Sequence, residues 1–152
     1  MALQSEVKTK LADGVVGELY DDSLSIIDSY VLDNSGVGTV GGAVTTTDGE
    51  TVAMGGTDTF AGILGLPKQY PNYNISLGAT NDVADGTQVS VIKEGRVFVD
   101  LGGVAAYDAD VYFVNATGAL GAGTAGAGQT QISNCKVIVP AEANGLAVIE
   151  LR

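Results

Sequence analysis

A chain of 152 residues has the length of one domain and can bury a core without disulfides or metal ions. It contains no His, no Trp and a single cysteine, Cys135, which excludes an intrachain disulfide, His-based triads, His-ligated zinc and His pH switches. With 18 acidic against 7 basic residues the net charge is −11, so the surface repels a nucleic-acid backbone and no direct nucleic-acid partner is expected.

Residues 1–33 differ from the rest and read as an N-terminal arm leading into a first strand, with residues 34–152 as a β domain. The opening MALQSEVKTKLADG has no apolar core of the secretory type, and no later run approaches the ~20 apolar residues of a membrane helix. The expectation is a soluble protein without a membrane partner, made in a reducing cytoplasm. Gly14 and Gly17 interrupt the apolar spacing between Leu11 and Leu19, so an extended arm lying across something fits better than a helix. Its scattered anchors are too few to bury themselves, and residues 1 to about 24 are expected to gain order on a neighbour. Leu19 and Tyr20 are the expected contact points. Residues 26–32 then read as the first strand.

From Gly36 onward, turn pairs such as Gly41-Gly42, Asp48-Gly49, Gly55-Gly56, Asp85-Gly86 and Asn144-Gly145 recur between β-branched runs. Strands are expected over residues 37–46, 51–54, 59–66, 88–93, 96–101, 110–115, 136–139 and 146–151. Residues 89–101 read as a hairpin that turns at Lys93-Glu94-Gly95-Arg96, and the Gly/Ala tract 119–128 as a loop unable to pack a core. Strands at this spacing predict an all-β fold, a small β-sandwich or β-barrel with an extended N-terminal arm.

The chemistry-bearing motifs are weak. Gly36/Gly38/Gly41 and Gly121/Gly123/Gly126 match the spacing of a dinucleotide loop. No amphipathic helix follows either one to meet a pyrophosphate, so both read as turns. Asp21-Asp22, Asp82 with Asp85 and Asp108 with Asp110 could lend oxygens to Ca²⁺, but none sits in an EF-hand pattern. Cys135 has Lys136 beside it and no His to act as base, and reads as a core residue. The expectation is no enzyme: no catalytic residue, cofactor or metal. Among the tyrosines, Tyr30 and Tyr112 lie inside strand runs and read as packed. Tyr70 and Tyr73 flank Pro71 in a turn that starts at Pro67 and Lys68. With Tyr20 they read as interface anchors, because a rigid aromatic gives large contact area at low entropic cost.

The stretches GVVGELYDDS (14–23), DSYVL (28–32), FAGILGLPKQY (60–70), GRVFVDL (95–101) and GLAVIEL (145–151) together resemble the structural cement, or capsid-decorating, proteins of tailed bacteriophages. The resemblance spans most of the chain in order, with residues 60–70 its most specific part, while the Gly-rich regions near 36–42 and 119–128 depart from it. It implies a non-catalytic protein on the capsid exterior that binds the major capsid protein and stabilises contacts between its subunits. It also implies a homotrimer at a symmetry junction, present in the host cytoplasm during assembly and afterwards in the virion. A virion surface or fibre module that binds glycans or host cells is the alternative.

Overall fold

The computed structural model describes residues 14–21, 24–33, 36–66 and 82–152. Every regular element among them is a β-strand. The strands are β1 (Ile26–Leu32), β2 (Val37–Thr39), β3 (Ala43–Thr46), β4 (Thr51–Met54), β5 (Thr59–Leu64) and β6 (Asp82–Ala84). They continue with β7 (Gln88–Asp100), β8 (Asp110–Val114), β9 (Leu120–Ala122), β10 (Gln129–Val139) and β11 (Leu146–Leu151). The all-β expectation holds, and the alternation of small β-branched residues with Gly turns is its cause.

Strands β1, β4, β3, β5 and β7 run side by side, and pairing of β1 with β7 closes them into a five-stranded barrel. Closure leaves these strands without a free edge. Tyr30, Leu32, Val44, Val52, Leu64 and Val91 fill its interior. The short β2–β6 ribbon contributes Val83 to the same core. A second sheet takes the order β7–β11–β10–β8–β9. Its inner face carries Val97, Val99, Phe113, Val137 and Ile149, packed against Ile63 and Ile92 on the outside of the barrel.

The longest strand, β7, belongs to both sheets and overturns the expected hairpin at residues 93–96. Its first half pairs with β1 from Gln88 to Glu94, and its second half with β11 from Gly95 to Asp100. Gly95 serves close approach instead of a turn: a Cβ there would lie 2.9 Å from Cβ of Ser25. Val91 and Ile92 are both buried, because the strand has a core on each side at that point. In β5 the same double burial comes with a bulge, since Val44 pairs with Gly62 and Thr45 with Phe60, leaving Ala61 as the extra residue.

Two further expectations are corrected. The run 37–46 is two strands, broken by the Gly41-Gly42 turn. The Gly/Ala tract is not a free loop: β9 lies within it, pairs with β8, and buries Leu120 in the sheet core. Glycine there admits a neighbouring ring, because a Cβ on Gly121 would fall 2.4 Å from Cζ of Tyr112. Tyr30 is buried as expected, and Tyr112 is half-buried.

Candidate interaction surfaces

Residues 14–21 form a strap along the second half of β7, on the side opposite β11. Gly17 N–H donates to the Phe98 carbonyl at 2.8 Å, Phe98 N–H to Glu18 at 2.9 Å and Tyr20 N–H to Arg96 at 2.9 Å. Leu19 faces Val97 in an antiparallel bridge and packs half-buried against the sheet core. The Tyr20 ring meets Phe98 edge-on at 5.4 Å between centroids and stays 45 % exposed. This stretch of the arm is therefore ordered on the protein's own body. The reason is local: Gly14 lies flat on the Phe98 ring, and Leu66 N–H reaches the Gly17 carbonyl at 2.8 Å. Residues 1–13 lie outside the described residues, as do Pro67, Lys68, Tyr70 and Tyr73, so the expected contact turn has no described geometry.

Charges order themselves across the outer face of the second sheet. The register sets Arg96 beside Glu150, Glu150 beside Lys136, and Lys136 beside Asp110. Arg96 Nε donates to Glu150 at 3.0 Å, Arg96 Nη1 to Asp21 on the strap at 2.9 Å, and Lys136 Nζ pairs with Asp110 at 2.8 Å. The result is an alternating row from the strap to β8. Glu150, bonded by Arg96 and Arg152, is held below the usual carboxylate range. Arg96 and Lys136 are pushed up by their carboxylate partners, Glu150 and Asp110 respectively. Sequence reading missed this row because it exists only once the strands are in register.

The barrel carries two smaller polar features. Lys93 Nζ reaches Asp28 at 2.8 Å and lies over the Tyr30 ring, and the Asp28 bond raises its pKa. Asp48 closes the β3–β4 turn by accepting from the N–H groups of Thr51 at 2.8 Å and Glu50 at 2.9 Å. These backbone donors favour the carboxylate and lower its pKa to about 2.

Nothing described converges as a reactive centre would. A cleft of about 290 Å³ between the strap, the barrel end and the β8–β9 turn is lined by Val16, Val40, Met54, Leu120 and a single carboxylate, Asp100. No group of three potential metal ligands occurs among the described residues. Cys135 is buried, and burial, with the Asp110 charge, pushes its thiol up to about 12, well away from a reactive thiolate. The Gly36/Gly38/Gly41 stretch runs through β2 into a turn, and Gly121/Gly123/Gly126 through β9 into the turn before β10.

A barrel welded to a sheet by one shared strand, with a strapped outer face and an acidic exterior, defines an all-β structural module. The family model described as structural cement protein (E217 gp24/Pam3 gp6) matches residues 3–152. The chain belongs to that family of phage structural proteins. Among solved structures, a chain from "The capsid of Myoviridae Phage XM1" is similar with a TM-score of 0.74 and 17 % identity, covering 100 % of this chain and 98 % of that one. At this identity the likeness concerns the fold. No curated protein matches the chain.

Proposed function

We propose that this protein binds the exterior of the assembled capsid and stabilises contacts between major capsid subunits, without catalysis. The observation that carries the reading is the family match over nearly the whole chain, residues 3–152. The physics supports it. Many weak contacts repeated by symmetry hold a shell together through avidity, and each needs only a rigid surface with a few exposed anchors. Closed barrel, shared strand and pinned strap supply rigidity, and the excess of carboxylates keeps stray copies apart in solution.

In this reading Leu19 and Tyr20 on the strap, and Pro67, Lys68, Tyr70 and Tyr73 in the segment that follows β5, contribute capsid or sister-copy contacts. The functional unit is a homotrimer, made in the host cytoplasm and carried on the virion, with no direct nucleic-acid or membrane partner. Purified protein added to expanded, cement-free shells tests the proposal. The expected result is saturable, stoichiometric binding together with a higher temperature of shell disruption. Binding to glycans or host cells, without any gain in shell stability, refutes the bracing role in favour of an adhesion module.

A further inference from the structure

At one end of the second sheet, the loop 102–109 after β7 and the loop 140–145 after β10 are tied to each other. Ala105 and Ala141 exchange both backbone hydrogen bonds at 3.1 Å, and Asp108 N–H donates to the Val137 carbonyl at 2.8 Å. Both Ala105 and Ala141 are buried in the core. These ties hold out two large, mostly exposed apolar side chains: Val104 is 78 % and Tyr107 70 % exposed. Single exposed apolar residues are ordinary, but two within four positions on a pinned, doubly bonded loop are anchors already ordered before any contact.

Charge indicates what they fit. Asp100, Asp108 and Glu142 are exposed around the same end. Lys136, bonded to this loop, is already engaged by Asp110 at 2.8 Å and by the Asp108 carbonyl at 3.3 Å. A second copy approaching tip to tip would bring like carboxylates together, and their repulsion selects against that pairing. A surface with an apolar depression rimmed by Lys or Arg has no such penalty.

We infer that Val104 and Tyr107 form an anchor that inserts into an apolar depression with a basic rim on the major capsid protein. The inference rests on the capsid-binding reading above. It adds a contact site separate from the strap.

The test compares binding of cement-free shells by the full-length wild type, Val104→Asp/Tyr107→Ala, Glu142→Lys, and a control, Thr47→Asp, on the remote β3–β4 turn. The double variant should melt like the wild type, because both side chains are largely exposed to solvent, and should bind about tenfold or more weakly. Glu142→Lys should bind more weakly than wild type at low salt, with the difference shrinking as salt rises. The control should bind as the wild type does. If the wild type fails to bind shells, the capsid reading falls. If the wild type binds and the double variant, equally folded, binds as well, the anchor falls and the capsid reading stands. Loss of self-association by the double variant, with shell binding per protomer retained, overturns the anchor in favour of a sister-copy contact.

Discussion

Gly118→Ala isolates the joint between the barrel and the second sheet. Gly118, in the turn between β8 and β9, accepts the Ala43 N–H of β3 at 2.8 Å, while Gly56 N–H beside it reaches the Asn115 carbonyl at 2.7 Å. Its φ is +73°, and an added Cβ would lie 2.5 Å from the Ala43 carbonyl oxygen and 2.9 Å from the Gly55 nitrogen. Both obstacles are backbone, so neither can rotate away. The left-handed conformation alone costs alanine about 1–2 kcal/mol, and forcing a methyl into fixed neighbours adds about 1–3 kcal/mol. Gly49→Ala supplies the reference: φ is +80° there, yet nothing lies within 4 Å of the new Cβ. It therefore bears the conformational cost without the collision. The unfolded-state effect of replacing glycine is shared by the two variants and cancels in the comparison. For a chain of this size each kcal/mol moves Tm by roughly 2–4 °C, so Gly118→Ala should melt roughly 2–12 °C below Gly49→Ala. Thermal unfolding followed by far-ultraviolet circular dichroism, repeated in urea, measures the gap. Equal melting temperatures would refute the claim that this contact fixes the barrel to the sheet.

Three further outcomes follow from the geometry. The Asp48 carboxyl has its folded pKa lowered from 3.8 to about 2, so its contribution is complete above pH 4 and lost as pH falls toward 2. Asp48→Asn should flatten the acid limb of stability in that window, and an unchanged limb in urea titrations would show that the turn does not matter. The Cys135 thiol should resist alkylation at pH 8 in the folded protein and react fully in denaturant, because burial raises its pKa to about 12. Rapid labelling without unfolding would contradict that burial. Arg96→Met removes the cation that links Asp21 on the strap to Glu150, so limited proteolysis should cut within residues 14–21 sooner than in the wild type. Equal cutting rates would mean that the backbone hydrogen bonds and the Phe98 contacts hold the strap unaided.

Fold class was legible in the sequence because β-branched runs of four to seven residues alternate with glycine pairs, and those signals act locally. What escaped was non-local. Lys93-Glu94-Gly95-Arg96 has the composition of a turn, yet β7 runs straight through it, because β1 and β11 each offer a partner for one half of the strand. Leu120 looked isolated among small residues, but β8 provides both a strand partner and the sheet core into which it packs. The charge row from Asp21 to Asp110 depends on four registers that no local pattern encodes. The stretch GGVAAYDAD did contain a readable signal, Val104 and Tyr107 set among small and acidic residues after a Gly-Gly pair. Without the Ala105–Ala141 pairing, its rigidity could not be inferred.

The shared strand also determines how the two halves can respond to load. Separating barrel from sheet requires β7 to be stripped from β1 and β5 on one half, or from β11 and the strap on the other. Tension along β7 places each of those ladders in shear, so many hydrogen bonds must yield together instead of unzipping singly. The Gly55–Gly118 contact adds a second tie where barrel and sheet meet away from β7, and it resists rotation about the strand axis. Together with the packing of the sheet on Ile63 and Ile92, these ties join the halves along more than one line. A shell contact made by the barrel and the anchor at Val104 and Tyr107 on the second sheet then keep a fixed separation, which lets contacts at two places on a shell reinforce each other. A flexible joint would spread that separation over many distances and reduce the effective concentration of the second contact once the first has formed. Weakening the joint by Gly118→Ala should therefore lower shell affinity even below its melting temperature, although residue 118 belongs to neither contact. Shell affinity equal to wild type in a folded but loosened variant would show that each contact acts alone.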